Sequence, residues 1–159
     1  MSKTQITAEP GIPQIIIERE FEAPLDLVFR AFTEPELIVQ WMGPRELTMR
    51  IEEYDVRDGG KWRYISTDAD GNEFGFHGVF HGMPSPDGTV RTFEFEGMPG
   101  HVAMETLTLV ERDGRTLARA VSSFQSVEDR DGMVASGMER GVRDSDERMG
   151  ELLAKLQAG

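Results

Sequence analysis

Two side chains near the middle of the chain could carry acid–base chemistry in an apolar setting. Glu105 alternates with Leu107 and Leu109 in a β-type segment, so the three side chains share one face of a strand. A carboxylate among apolar groups can exchange protons or orient the amine or hydroxyl of a ligand. Pairing of Glu105 with an arginine of a neighbouring strand is the competing interpretation. His77 could hydrogen-bond a ligand if it faced the same interior, whereas at the surface it needs no role.

Metal sites and reactive nucleophiles are not indicated by the sequence. On a regular strand His77 and His81 lie about 13 Å apart, whereas two zinc ligands must each approach the ion to about 2 Å. His101 follows a glycine turn. The chain has no cysteine and no Gly-x-Ser-x-Gly segment. We therefore expect no metal, no cofactor and no catalytic set.

The net charge of the chain disfavours some classes of binding partner. Its 17 basic residues stand against 29 acidic ones, a formal net charge of −12, which repels phosphate backbones and anionic membrane surfaces. No run approaches the roughly 18 apolar residues of a membrane span, and we find no signal peptide. We expect no binding to nucleic acid or membranes and a cytoplasmic location.

The order of elements predicts an α+β fold. Residues 1–13 contain two prolines without periodicity and predict a flexible arm, followed by one domain over residues 14–158. A strand at 15–22 precedes two short helices, the second beginning at Pro35. Six strands with short turns then predict an antiparallel sheet of about seven strands. Apolar residues spaced three or four apart predict an amphipathic helix over residues 131–157, packed across the sheet.

A cavity between this helix and the sheet is the predicted binding site. Aromatic side chains could supply the sheet wall, although core packing is the default explanation for aromatics at these spacings. Glycines in the helix cost stability, which indicates close backbone packing or deliberate space. The candidate cavity residues are Trp41, Trp62, Tyr64, Phe76, His77, Glu105, Leu107, Gly137, Met138 and Gly141.

Four motifs, in order, resemble a known family. They are WMGP at residues 41–44, DVRDGGKWR at 55–63, TFEFEGMPGH at 92–101 leading into Glu105, and SGMERG at 136–141. The chain is similar to the heat-shock protein 90 ATPase activator homologue branch of the START and Bet v 1-like helix-grip superfamily. The resemblance implies a cavity between sheet and helix. Founding members carry an additional N-terminal domain for which this chain has no room, so we do not expect chaperone binding.

Three functions stay open at this point. The leading hypothesis is a non-enzymatic protein that binds a small apolar or amphipathic ligand. The first alternative is a cyclase or dehydratase with Glu105 or His77 as acid–base residue, and the second is a co-chaperone-like protein-binding module. Met149 and the leucines near the C-terminus suit either the core or a homodimer seam.

Overall fold

The sheet of this protein is antiparallel throughout. The computed structural model describes residues 3–159, in which eight strands lie in the order β1-β2-β8-β7-β6-β5-β4-β3. The β7–β8 hairpin turns at Asp113 and Gly114, which both have positive φ, as the sequence predicts for a type I′ turn. The strands are β1 (Lys3–Thr7), β2 (Gln14–Phe21), β3 (Thr48–Tyr54), β4 (Lys61–Thr67), β5 (Glu73–Val79), β6 (Gly88–Phe95), β7 (Val102–Arg112) and β8 (Arg115–Ser123).

Four helices of the described chain pack on one face of this sheet. The two predicted short helices are α1 (Leu25–Thr33) and α2 (Pro35–Trp41), joined through Glu34. The C-terminal segment forms α3 (Val127–Ala135) and α4 (Met138–Ala158). We call the helix-bearing face of the sheet the inner face and the opposite one the outer face. No helix in residues 3–159 is long and apolar enough to cross a membrane.

The prediction of a flexible arm over residues 1–13 is wrong for the part that the structure describes. Residues 3–7 form the edge strand β1, which pairs with β2 in the register Ile6 to Ile17. The turn residues that suggested an arm are the connection between these strands, where Gly11 has a φ of +81°. Met1 and Ser2 lie outside the described residues. The sheet therefore has eight strands where about seven were predicted.

The prediction of one unbroken helix over residues 131–157 is also wrong. Gly137 has a φ of +85°, a left-handed conformation that ends α3 before α4 begins. α4 has 21 residues, which makes it about 30 Å long. Its residues Met149, Leu152 and Leu153 are buried within the chain, so they belong to the core.

A buried ion pair fixes α4 to the strands beneath it. Asp146 lies 3.2 Å from Arg19 of β2, and both side chains are almost inaccessible to water. The hydroxyl of Thr4 in β1 donates a hydrogen bond to the same carboxylate. Burial raises the pKa of Asp146 and lowers that of Arg19, which means that desolvation opposes the charged forms more than the pairing favours them. The pair therefore sets the position of α4 more than it stabilises the fold.

Removing one member of this pair will test that interpretation. We expect Asp146→Ala to lower the free energy of unfolding by about 3 kcal/mol, because it leaves the Arg19 guanidinium buried without a partner. Replacing both, with Arg19→Met and Asp146→Leu, should be far less destabilising or neutral. Urea unfolding of the wild type, the single variants Asp146→Ala and Arg19→Met, and the double variant measures this. A double variant as unstable as the worse single variant would contradict it.

Candidate functional site

An apolar groove lies between the inner face of β5, β6 and β7 and one face of α3. Its volume is about 560 Å³, within the range of small-molecule pockets. Aromatic and sulfur-containing side chains predominate, and the polar groups are few. It is lined by Phe74, Phe76, Phe93, Phe95, Met98, His101, Val102, Ala103, Phe124, Glu128, Asp129, Gly132, Met133 and Ser136.

The floor of the groove is a layer of phenylalanine rings. Phe93 and Phe95 alternate along β6 and so share the inner face, where Phe95 is directly opposite Phe76 of β5. The ring of Phe76 lies 5.5 Å from that of Phe93 and 5.2 Å from that of Phe95, with interplanar angles of 29° and 32°. Phe74 continues the layer and is 36% exposed. Such an open apolar surface is typical of a binding site.

The roof of the groove is one side of α3, which has its own anchors. The hydroxyl of Ser126 accepts a hydrogen bond from the backbone N–H of Asp129 and so caps the helix. Arg130 is buried and donates hydrogen bonds to the backbone carbonyls of Glu9 and Gln14 at 2.8 and 3.3 Å. On the groove side a Cβ built on Gly132 meets no atom within 4 Å. α3 is thus tied to the β1–β2 connection, with open space below it.

A histidine–carboxylate pair lies at the groove. Nδ1 of His101 is 2.9 Å from a carboxylate oxygen of Asp129, and the imidazole is 52% exposed. This contact holds the ring by one nitrogen and leaves Nε2 available to a bound molecule. Such a pair can orient a polar group of a ligand or accept a proton from it.

A charged cluster lies next to the groove, one step further along the strands. Phe93 is opposite Ala103, and the next inward pair is Arg91 opposite Glu105. Arg91 donates hydrogen bonds to Glu105 at 3.0 Å and to the Tyr64 hydroxyl at 2.8 Å. Its guanidinium also stacks 4.2 Å from the ring centre of Trp62. Glu105 therefore faces inward, as predicted, and is also paired with an arginine of the neighbouring strand.

A second hollow, on the outer face, has a different character. It is larger, at about 670 Å³, and lies over β1, β2, β7 and β8. Charged side chains such as Glu18, Glu20 and Arg119 stand around it. The groove under α3 is the better candidate because its walls are apolar and a helix covers it.

The structure brings few of the predicted cavity residues into the groove. Phe76 lines it, and Trp62, Tyr64 and Glu105 belong to the adjoining charged cluster. Trp41 and Leu107 pack in the core formed by α1, α4, β7 and β8. The indole N–H of Trp41 donates to the carbonyl of Ala31 at 2.8 Å, so this tryptophan is a packing residue.

The placement of His77 in the cavity is wrong. Its Cα partners are Arg63 of β4 and Glu94 of β6, and its side chain lies on the outer face. There Nδ1 of His77 is 2.9 Å from Glu96, which also accepts hydrogen bonds from Arg63 at 2.7 and 2.8 Å. One strand alternates between its two faces, so Phe76 and His77 cannot both point inward.

The helix residues predicted to oppose the sheet aromatics also lie elsewhere. Gly137 is exposed at the break between α3 and α4, and Met138 begins α4 half-buried. A Cβ on Gly141 would make an ordinary contact, 3.6 Å from the ring of Pro44, so this glycine packs on the loop after α2 and not on the sheet aromatics. The cavity is therefore displaced from α4 to α3.

Several groove residues escaped the sequence analysis. Phe93 and Phe95 carry a readable signal, because they alternate with Thr92, Glu94 and Glu96 in a strand. His101 and Asp129 are 28 positions apart, and no local pattern links them. Gly132 faces the groove because α3 is a separate helix, which depends on the break that the prediction missed.

The comparisons with known proteins agree with this architecture. Residues 22–154 match the model of the family described as activator of Hsp90 ATPase homolog 1-like protein. The chain belongs to this family, which confirms the resemblance seen in the motifs. No curated protein matches the chain in sequence.

Solved structures with the same helix-grip fold cover almost the whole chain. A protein from Arthrobacter aurescens, solved by NMR, is 25% identical with a TM-score of 0.87, over 95% of this chain and 91% of that one. A crystal structure from Rhodobacter sphaeroides is 23% identical with a TM-score of 0.87, over 96% and 99%. Protein Ms6760 from Mycobacterium smegmatis is 22% identical with a TM-score of 0.85, over 94% and 96%. At 23% and 22% identity, the similarity to the Rhodobacter and Mycobacterium proteins shows the fold alone.

The outer-face cluster gives a prediction that separates His77 from the groove. Hydrogen bonds from Arg63 and His77 lower the pKa of Glu96 to about 2. Because this pKa is depressed, the stabilisation from the ionised carboxylate is present above pH 4.5 and is lost as the pH falls towards 2. We expect Arg63→Gln to raise the pKa of Glu96 towards 4.5, and His77→Gln to raise it by less.

Carboxyl ¹³C NMR titration of the native protein and these variants measures the change. His81→Gln serves as the matched control, since His81 is exposed and is expected to leave Glu96 unaffected. A native Glu96 that titrates near 4.5 would contradict the described cluster.

Proposed function

We propose that this member of the family binds a small apolar or amphipathic molecule in the groove between α3 and strands β5 to β7. The observation that carries the proposal is the groove itself, about 560 Å³ of space lined by five phenylalanines and two methionines. An apolar surface of this kind costs free energy when it faces water, and a ligand that covers it recovers that cost.

The groove suits a ligand with a body and a head. Phe76, Phe93 and Phe95 offer ring surfaces for an apolar body, and methionines such as Met133 adapt to its outline. His101 and Asp129 supply the polar groups that would orient a head group. The charged cluster around Arg91 lies beside the floor, next to Phe93 on the same face of β6. Hydrogen bonds to Glu105 and Tyr64 hold Arg91 in place.

Filling the groove from its roof tests the proposal without disturbing the core. Gly132→Phe should place a ring into open space, since a Cβ there meets nothing within 4 Å. Replacing a helical glycine should also leave α3 as stable or stabilise it by up to about 1 kcal/mol. We expect the variant to lose at least about tenfold in affinity for an apolar probe such as decanol, equal to about 1.4 kcal/mol.

Gly132→Ala is the matched control, because it also removes the helical glycine but adds only a methyl group. It should bind decanol as the wild type does. Isothermal titration calorimetry gives the affinities, and thermal unfolding shows that both variants are folded. Equal affinity of the wild type and Gly132→Phe would remove the groove as the binding site.

Acid–base catalysis in the same groove is the second candidate function, and the His101–Asp129 pair is the observation that favours it. In such an enzyme the His101–Asp129 pair would be the acid–base group. Glu105 is held by Arg91 and His77 faces outward, so neither of them would act in the groove. A bound compound recovered unchanged after long incubation supports binding alone. Conversion that disappears in His101→Gln, with the compound still bound, would support catalysis.

A further inference from the structure

The charge of the groove is one-sided. Among the described residues that line it are two carboxylates, Glu128 and Asp129, but neither lysine nor arginine. Both carboxylates lie in the first turn of α3, and Glu128 is exposed. The carboxylate of Asp129 lies 2.9 Å from Nδ1 of His101. A positively charged group at this end of the groove would meet carboxylates, whereas an anion would meet no described basic side chain other than the imidazole.

The aromatic floor favours the same sign of charge. The faces of phenylalanine rings carry partial negative charge and attract ammonium groups within about 6 Å. The ring of Phe76 lies at 29° to that of Phe93 and at 32° to that of Phe95, and five phenylalanines in all line the groove. A floor of this composition accepts the methylenes or methyl groups of an organic cation and solvates its charge as well.

The whole chain adds to this preference at longer range. Its formal net charge is −12, which raises the local concentration of cations and lowers that of anions. The long-range field does not select a site by itself. The net charge draws cations to the whole surface, and the carboxylates and rings of the groove determine where on that surface a cation binds.

We infer that the ligand of the groove is an organic cation, with an apolar or aromatic body and an amine or quaternary ammonium head. The body lies on the phenylalanine floor, and the head lies at the first turn of α3 beside Glu128 and Asp129. This inference rests on the proposed binding function and adds the chemical class of the ligand.

Three probes that share a ten-carbon chain test the sign of the charge. They are decyltrimethylammonium, decanol and decyl sulfate, each titrated by calorimetry below the concentration at which it aggregates. We expect the cation to bind about tenfold more tightly than decanol and the sulfate to bind most weakly. The preference for the cation should shrink in 0.5 M salt, because salt screens exposed charges.

Variants separate the local site from the general charge of the protein. Glu128→Gln should lower the affinity for the cation several-fold and leave that for decanol unchanged. Glu36→Gln is the matched control, since Glu36 is also an exposed glutamate in the first turn of a helix, and it should change neither. Gly132→Phe should weaken all three probes together.

The outcomes are distinct. Decanol or decyl sulfate binding as tightly as the cation, with all of them weakened by Gly132→Phe, would overturn the inference and leave the groove as a binding site. An affinity for the cation that is equal in the wild type, Glu128→Gln and Gly132→Phe would assign its binding to non-specific attraction and also overturn the inference. Failure of every probe to bind the wild type would overturn the proposed function itself.

Discussion

The left-handed turn at Gly137 is the constraint on which the groove depends. With a φ of +85°, this residue ends α3, because a right-handed helix cannot continue through a left-handed conformation, and glycine adopts that conformation without the strain that a Cβ would add. α3 is then held by contacts of its own, the Ser126 cap and the buried Arg130. It lies over the phenylalanines of β5 and β6 as a separate roof, while α4 packs as the core helix. One glycine thus divides the C-terminal segment into a helix that covers the groove and a helix that packs in the core.

The inner face of the sheet is divided in the same way, between paired charges and an apolar groove. Arg19 with Asp146 and Arg91 with Glu105 place two ion pairs on this face. The first pair is buried and the second is partly buried; desolvated pairs add little net stability, but they restrict how helices and side chains can be arranged. Beyond Arg91 the inward side chains become Phe93 and Phe95. The charged cluster around Arg91 forms one boundary of the groove, and apolar side chains line the groove itself.

Sequence patterns predicted the fold well because its elements are locally encoded. The turn at Asp113 and Gly114, the proline at the start of α2 and the alternation around Glu105 all act within a few residues. The site was predicted poorly because it depends on two facts that are not local. The first is the break at Gly137, where an amphipathic pattern continues across a left-handed residue. The second is the contact between His101 and Asp129, which are 28 positions apart. This contact depends on how α3 packs against the sheet, and no local pattern encodes it.

We propose that the ligand lies on the phenylalanine floor beneath α3. Intermolecular nuclear Overhauser effects between decyltrimethylammonium and isotope-labelled protein would show which side chains contact the bound probe. The account predicts contacts from the decyl chain to the ring protons of Phe76, Phe93 and Phe95. Contacts instead to Val110 and Leu117, which line the hollow on the outer face, would contradict it.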